Sequence, residues 1–241
     1  YRPLLPNCHR IEYNSEKSLQ IITEMTAAVV VEPVQGATGF VTPKNNWLQK
    51  LRLRCNEVGA LLIFDEIQTC FGRTGKLFAL DTYGVTPDIL CIAKGMGGGM
   101  PIGAFISSKE NMDTLKNKPK LGHITTFGGH PVSCAAALST LQTLIEDSSI
   151  IDSIPIKEKL FRKGLEHPLV KEIRGVGLML AIELGDMGKC KNFVELAYTK
   201  GLITFFFLFT ETAVRLSPPL IITEKEIQSA CEKIQEVLDD L

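Results

Sequence analysis

In the segment Leu61-Leu62-Ile63-Phe64-Asp65-Glu66-Ile67-Gln68, four apolar residues are followed directly by an acid. A short apolar run of this kind predicts a buried strand. A second run, residues 88–93, ends at Lys94. In a parallel sheet the carboxyl ends of both strands lie at one edge, which is where open α/β folds bind ligands. The sequence therefore predicts a ligand site built from the Asp65 carboxylate and the Lys94 amine.

The pattern around these two runs predicts an α/β fold. Strands that alternate with helices and are apolar on both faces are typical of a mainly parallel sheet covered on both sides. Strands are predicted at residues 27–31, 60–64, 88–93 and 102–106, and helices at residues 45–58 and 131–145.

The pattern changes after residue 147. Strands are predicted at residues 173–183, 202–209 and 214–216, and helices at residues 155–166, at 192–200 and from Thr223 to the end. Thr223 begins a Thr-Glu-Lys-Glu segment, which matches a helix capping box. We therefore expect a large domain over residues 1–147 and a small α+β domain over residues 148–241.

The composition argues against several classes of function. The net charge is -1 and 22% of the residues are charged, so nothing favours binding to nucleic acid or to an anionic membrane. The longest apolar runs, such as residues 202–209, are too short to cross a bilayer. The seven cysteines are scattered and have neither CxxC nor Cys/His spacing, so we expect no disulfide framework and no metal site. A cytoplasmic location, where thiols stay reduced, is the expectation.

Taken alone, Asp65 and Lys94 have simpler interpretations. A strand-end Asp can cap the next helix, and a strand-end Lys can simply reach solvent. An acidic pair after an apolar run is also found in nucleotide hydrolases, but residues 72–76 lack the GxxxxGK spacing and follow the acidic strand instead of preceding it. The glycine-rich segment at residues 95–103 favours a functional lysine, because glycine lets the backbone approach a bound group closely.

A series of short motifs occurs in a fixed order along the chain. They are Val-Glu-Pro-Val-Gln-Gly at 31–36, Phe-Asp-Glu-Ile-Gln-Thr at 64–69 with Gly-Arg-Thr-Gly at 72–75, Pro-Asp-Ile at 87–89, Ala-Lys-Gly at 93–95, Thr-Thr-Phe-Gly-Gly-His-Pro at 125–131 and Arg-Leu-Ser-Pro-Pro-Leu at 215–220. In this order they resemble the class III aminotransferases of the ornithine, acetylornithine and 4-aminobutyrate type. The resemblance implies a fold-type I transferase that depends on pyridoxal 5'-phosphate (PLP).

The resemblance also implies roles for individual residues. Lys94 would form the Schiff base with PLP and carry the proton between substrate and cofactor, while Asp65 would keep the pyridine nitrogen protonated. Gln68 would lie near the phenolic oxygen of the ring. Thr126, with Thr125 beside it, would reach the cofactor phosphate of the neighbouring subunit, so a homodimer with shared active sites is expected. The two threonines are also compatible with a cap on the following helix.

Glu32 and Arg215 are the residues that the resemblance links to specificity. It implies that Arg215 grips the carboxylate of a 2-oxo acid acceptor and that Glu32 masks this arginine when the amine donor is bound. A planar guanidinium suits that task because it binds a carboxylate through two parallel hydrogen bonds. A structural salt bridge is the alternative. The expected reaction moves the ω-amino group of acetylornithine or ornithine to 2-oxoglutarate, with 4-aminobutyrate as the alternative donor.

The chain begins at Tyr1, and the resemblance implies that it is the carboxyl-terminal part of a longer enzyme. The phosphate-binding loop and the ring-stacking aromatic residue of the family would then lie upstream. Without the backbone N–H donors of that loop, we expect this chain to bind PLP weakly and to be inactive by itself.

Overall fold

Two four-stranded sheets form the framework of the computed structural model, which describes residues 2–120 and 123–241. The first sheet has the order β1-β2-β3-β4, with β1 at Ala28–Val31, β2 at Leu61–Asp65, β3 at Ile89–Ile92 and β4 at Ala104–Ser107. The pairs β1–β2 and β2–β3 are parallel, and β4 is antiparallel to β3. The predicted mainly parallel sheet is therefore confirmed, and its strands lie within two residues of the predicted bounds.

Four helices accompany this sheet: α1 at Trp47–Val58, α2 at Ala79–Tyr83, α3 at Lys109–Asp113 and α4 at Pro131–Glu146. The apolar stripe of α1, which includes Trp47, Leu48 and Leu51, is buried against the sheet. Gly59 ends α1 with a φ of 77°, as expected for a residue that closes a helix in the left-handed conformation. Pro131 opens α4, where its missing N–H costs nothing.

The two faces of the first sheet differ in how well they are covered. The face that packs against α1 is buried and contains Val29, Val31, Leu62, Phe64, Leu90 and Ile92. On the opposite face Val30 is 67% exposed and Phe105 is 45% exposed, while Ile63 and Ile89 between them are half-buried. The expectation of cover on both sides is wrong for the residues that the structure describes. We call the strip Val30, Ile63, Ile89 and Phe105 the open face.

The second sheet is antiparallel throughout, in the order β5-β6-β8-β7. Its strands are β5 at Glu172–Val176, β6 at Met179–Glu183, β7 at Phe205–Phe206 and β8 at Ala213–Leu216. The single strand predicted over residues 173–183 is wrong, because the chain reverses at Gly177, where φ is +61°. The strand predicted over residues 202–209 is shorter in the structure: it covers Phe205–Phe206, which pair with β8.

Helices α6 at Ile154–Gly164, α7 at Met187–Thr199 and α8 at Glu224–Asp239 pack against the second sheet. The short helix α5 at Ser149–Asp152 precedes them, and its Ile150 and Ile151 pack against the core of the first sheet. The predicted capping box of α8 is present: the Thr223 hydroxyl accepts from the Glu226 N–H, and the Glu226 carboxylate accepts from the Thr223 N–H. Helix α7 begins five residues before its predicted start, because the Asp186 side chain caps it by accepting from the Lys189 N–H.

Separate hydrophobic cores lie beneath the two sheets. One is centred on α1 and β1–β3, and the other is formed by α6, α7, α8 and β6. Leu220 packs at the edge of both cores. The division of the chain at residues 147 and 148 stays a prediction.

No helix in the described part of the chain is long and apolar enough to cross a membrane. Within residues 2–120 and 123–241, no three His, Cys, Asp or Glu side chains are grouped so as to hold a metal ion.

Candidate active site

Asp65 and Lys94 lie at the carboxyl ends of adjacent parallel strands. Asp65 is the last residue of β2, and its backbone is in register with Cys91 of β3. Lys94 follows β3 after Ala93 and begins a 3-10 turn. The Asp65 carboxylate accepts a hydrogen bond from the Ile67 N–H at 3.1 Å, a local contact that turns the chain after the strand. Asp65 and Lys94 therefore both lie at the predicted edge of the sheet.

Lys94 has a backbone conformation that lysine seldom adopts. Its φ is +47°, in the left-handed region, which costs an L-residue about 1–2 kcal/mol. Its side chain is exposed and lines a cavity of about 480 Å³ between the two sheets. Strained backbone of this kind is concentrated at functional sites. Apolar periodicity carries no information on φ, so this strained backbone could not be predicted from the pattern of residues.

Gln68 and Arg215 meet in the same cavity, although 147 positions separate them in the sequence. Arg215, on β8, donates from Nη2 to the Gln68 Oε1 at 3.4 Å and from Nε to the Ser217 hydroxyl at 3.1 Å. Its guanidinium lies 5.1 Å from the centre of the buried Phe40 ring, within the range of a cation–π contact. Burial lowers the pKa of Arg215.

Glu32 lies apart from Arg215. It lines a smaller cavity of about 250 Å³ together with Asp65, and its Oε2 accepts from the Gly36 N–H at 2.8 Å. Burial raises the pKa of Glu32, the Gly36 hydrogen bond and the charge of Lys94 oppose that rise, and the charge of Asp65 adds to it. Glu32 is therefore electrostatically coupled to Asp65 and Lys94. The described residues contain no ion pair between Glu32 and Arg215, and the masking role of Glu32 stays a prediction.

Thr125 and Thr126 lie on an exposed loop before α4 and line neither cavity. The structure does not bring them together with Lys94 within this chain. The residue that caps α4 is His130, without a side-chain hydrogen bond, so the interpretation of the two threonines as its cap is wrong. Their predicted contact with a phosphate in a neighbouring subunit stays a prediction.

Glu66 is a structural acid that the sequence analysis missed. It is fully buried; Oε2 accepts from the Ala79 N–H at 2.6 Å and the Thr69 hydroxyl at 3.0 Å, and Oε1 accepts from the Leu80 N–H at 2.7 Å. Burial raises the pKa of Glu66, and these three hydrogen bonds oppose that rise. Glu66 thereby fixes the start of α2 against the end of β2, next to Asp65.

One glycine after Lys94, Gly98, is needed for close packing against α4. Gly98 has a φ of +55°, and a Cβ there would collide with the Thr140 hydroxyl. Thr140 and Gly95 both line the larger cavity, so α4 forms one of its walls. The predicted close approach of the other glycines in residues 95–103 to a bound group stays a prediction.

Comparison with known proteins gives the family. The sequence model described as "Aminotransferase class-III" matches residues 6–238. A putrescine aminotransferase from Pectobacterium atrosepticum is 39% identical in an alignment of 255 positions, which covers 100% of this chain and 54% of that protein. An acetylornithine aminotransferase from Caldanaerobacter subterraneus is 37% identical over 247 residues, covering 100% of this chain and 61% of that protein. The chain thus spans a little over half the length of the curated relatives it matches.

Solved structures agree with this result. An ornithine aminotransferase from Toxoplasma gondii superposes with a TM-score of 0.90 at 33% identity, over 99% of this chain and 57% of that one. That structure has partial occupancy of PLP at its active site. An acetylornithine aminotransferase from Elizabethkingia anophelis gives a TM-score of 0.87 at 32% identity, over 97% of this chain and 60% of that one. These matches confirm the predicted fold-type I architecture and the predicted family with its PLP dependence. The chain is a member of the class III aminotransferase family.

Proposed function

We propose that this chain carries the cofactor-binding lysine of an aminotransferase that moves the ω-amino group of acetylornithine or ornithine to 2-oxoglutarate. The proposal rests on one observation. Lys94 and Asp65 lie at the carboxyl ends of neighbouring parallel strands, and Lys94 is exposed to a cavity that Gln68 and Arg215 also line. The acetylornithine and ornithine aminotransferases among the relatives and structural neighbours support this choice of donor.

The residues at this site fit PLP chemically. Lys94 offers an exposed amine for covalent attachment, and Asp65 offers a carboxylate for the ring nitrogen. The Gln68 amide lies against Gly36, where a Cβ would collide with it, so this glycine leaves room for a polar group beside the ring. When bound, PLP supplies an electron sink for the carbon that carries the amine.

The side chains at this site would have different roles in the reaction. Asp65 would hold a proton on the ring nitrogen of bound PLP through its negative charge. The Lys94 Nζ would accept the proton that leaves the substrate carbon. Arg215 binds the carboxylate of the 2-oxo acid, and Gln68 orients the Arg215 guanidinium through the hydrogen bond at 3.4 Å.

We further propose a cytoplasmic homodimer. Ile124 and Phe127, which flank Thr125 and Thr126, are 61% and 79% exposed. A loop that presents both apolar side chains and hydroxyls supports contact with a second subunit. All seven cysteines are unpaired, which supports a reducing compartment.

Other donors remain as alternatives within the same chemistry. 4-Aminobutyrate also carries an amine and a carboxylate at opposite ends of a short chain, and putrescine is the substrate named for one relative. The expectation that this chain by itself is a noncatalytic piece with weak PLP affinity also stands as a prediction.

Reductive trapping tests the proposal. PLP is added to the chain, the linkage is reduced with borohydride, and the labelled peptide is identified by mass spectrometry. We expect label on Lys94, its loss in Lys94→Ala, and its retention in Lys76→Ala, a matched control at an exposed lysine. Label spread evenly over surface lysines would contradict the assignment of Lys94. Weak labelling that is still selective for Lys94 would fit low affinity at the right site.

A further inference from the structure

The loop after β1 is closed at its base and bound at its tip. We call residues 35–41 the bridging loop. At its base the Gln35 N–H donates to the Val41 carbonyl at 3.0 Å. At its tip three consecutive carbonyls accept from β5 and from the segment between β7 and β8. The donors are the Phe209 N–H to Ala37 at 3.1 Å, the Thr210 hydroxyl to Thr38 at 2.7 Å and the Arg174 Nε to Gly39 at 2.9 Å.

Phe40, the residue after this anchored tip, combines a strained backbone with a fully buried side chain. Its φ is +54° and its exposed fraction is 0%. A bulky residue at positive φ persists only where the surrounding structure determines it, and such residues are concentrated at functional sites. The Phe40 ring packs edge to face with that of Phe207, with 4.8 Å between the ring centres. The bridging loop thus places one aromatic ring at a defined position.

That position lies beneath Arg215. The Arg215 Cζ lies over the Phe40 ring, 5.1 Å from its centre. The two hydrogen bonds of Arg215, to the Ser217 hydroxyl at 3.1 Å and to the Gln68 Oε1 at 3.4 Å, use two of the five N–H donors of a guanidinium. The negative face of an aromatic ring attracts a guanidinium without using any of those donors.

The charged neighbour of Arg215 in the larger cavity is another cation. Arg73 lines the same cavity, and its Nη1 donates to the carbonyls of Leu178 and Pro218. Burial is the main cause that lowers the pKa of Arg73, and the charge of Arg215 lowers it further, so the two guanidinium groups repel each other. Within the described part of the chain, no acidic side chain pairs with Arg215. An attractive surface under Arg215 is therefore needed to hold it against this repulsion.

We propose that Phe40 is a positioning residue for Arg215: its ring holds the guanidinium at the wall of the larger cavity and leaves the N–H groups available to a carboxylate. The inference rests on the proposed function, in which Arg215 binds the 2-oxo acid. It adds a residue to which the sequence motifs assign no role. Because the second sheet anchors the bridging loop, the position of the ring is set by the packing of the two sheets.

Nuclear magnetic resonance of the 241-residue chain tests the contact without cofactor. Protons over the face of an aromatic ring resonate upfield. The Arg215 Hε, assigned by its loss in Arg215→Lys, should therefore move downfield in Phe40→Leu. Phe207→Leu makes the same substitution in the same buried cluster and should move this resonance much less. Equal movement in the two variants, or none in Phe40→Leu, would overturn the inference.

A measurement on the wild type keeps the test decisive if Phe40→Leu does not fold. We expect nuclear Overhauser contacts between the Arg215 side-chain protons and the Phe40 ring, and their absence would overturn the inference. Neither resonance experiment depends on PLP or on turnover. Failure of Lys94 labelling would refute the proposed function, whereas the Arg215 resonance reports on the Phe40 contact in either case.

The two half-reactions of the longer PLP-loaded enzyme, of which this chain is expected to be the carboxyl-terminal part, test the role of the contact. Phe40→Leu should raise the KM for 2-oxoglutarate roughly threefold to thirtyfold, the range of a cation–π contact. The half-reaction with acetylornithine should be unchanged. Phe40→Tyr keeps a ring and should lie closer to the wild type than Phe40→Leu. An equal loss in both half-reactions would show that Phe40 acts only in general packing and would overturn the inference.

Discussion

Arg73 and Leu178 exchange hydrogen bonds: the Leu178 N–H donates to the Arg73 carbonyl at 3.0 Å, and the Arg73 Nη1 donates to the Leu178 carbonyl at 3.0 Å. The same Nη1 donates to the Pro218 carbonyl at 2.6 Å. Arg73, in the loop after β2, thereby binds both the β5–β6 turn and the segment after β8. Ser217 belongs to that segment and Arg215 lies just before it on β8, so the geometry of the larger cavity depends on this contact.

The close approach of Gly177 to this loop yields a matched pair of substitutions. A Cβ at Gly177 would lie 2.5 Å from the Arg73 carbonyl oxygen, whereas a Cβ at Gly84 would meet nothing within 4 Å. Both glycines have nearly the same φ, +61° and +62°. Gly84→Ala should therefore cost only the backbone strain, about 1–2 kcal/mol of unfolding free energy. Gly177→Ala should cost about 1–3 kcal/mol more, because the loop must move. Urea denaturation measures the unfolding free energy of each variant. Equal losses would show that the Arg73 loop moves away from a Cβ at Gly177 without a measurable cost.

Glu66 should behave as a buried structural acid. Its two carboxylate oxygens accept from two backbone N–H groups at the start of α2, and an amide has only one acceptor oxygen. Glu66→Gln should therefore lower the unfolding free energy by about 1–3 kcal/mol, the cost of an unsatisfied buried donor. Glu57→Gln, at a side chain that is 63% exposed, should change it by less than about 0.5 kcal/mol. A loss at Glu66 no larger than at Glu57 would contradict this role.

Glu183 should make the protein less stable in acid. Burial alone would raise its pKa, but hydrogen bonds from Thr212, Arg174 and Gly185 together bring the pKa below the ordinary value of 4.5. The stabilisation is therefore complete above that value and is lost as the pH falls through the lower pKa of the folded state. The stability difference between wild type and Glu183→Gln should shrink over this range. Glu172→Gln, at the neighbouring acid that is 57% exposed, should keep the wild-type pH dependence. A difference that is constant with pH would rule out the linkage.

Asp65→Asn should slow amine transfer, without unfolding the protein, in the longer PLP-loaded enzyme of which this chain is expected to be the carboxyl-terminal part. An amide cannot hold a proton on the ring nitrogen by charge, so we expect a loss of about a hundredfold or more, as when one electrostatic partner of a reacting group is removed. The rate of the first half-reaction with acetylornithine, followed by the change in cofactor absorbance, measures the effect. Asp81→Asn, at an exposed residue of α2, is the control. Similar rates in the two variants would remove Asp65 from the mechanism.

Local sequence patterns were sufficient for the elements whose signals are local. The apolar runs that end at Asp65 and Lys94 predicted β2 and β3, and Thr223 with Glu226 predicted the start of α8. The reversal at Gly177 was missed because the apolar run continues through Leu178 into β6, and periodicity does not register a positive φ.

The parts of the site that depend on distant contacts were not predictable in this way. Glu66 is recognised as structural only when the chain brings Ala79 and Leu80 back to it. The neighbours of Arg215 depend on how the second sheet packs against the first, which no local pattern encodes. For the same reason the family motif could name Glu32 and Arg215 but could not fix the distance between their side chains.

The open face of the first sheet is expected to govern how the purified chain self-associates in solution. Val30 and Phe105 present apolar side chains to water beside half-buried Ile63 and Ile89. A net charge of -1 provides little electrostatic repulsion between molecules at neutral pH. Colloidal behaviour will therefore be set by the strip of aliphatic and aromatic groups, and the practical limits on storage concentration, choice of surfactant and shelf life in a purified sample follow from it.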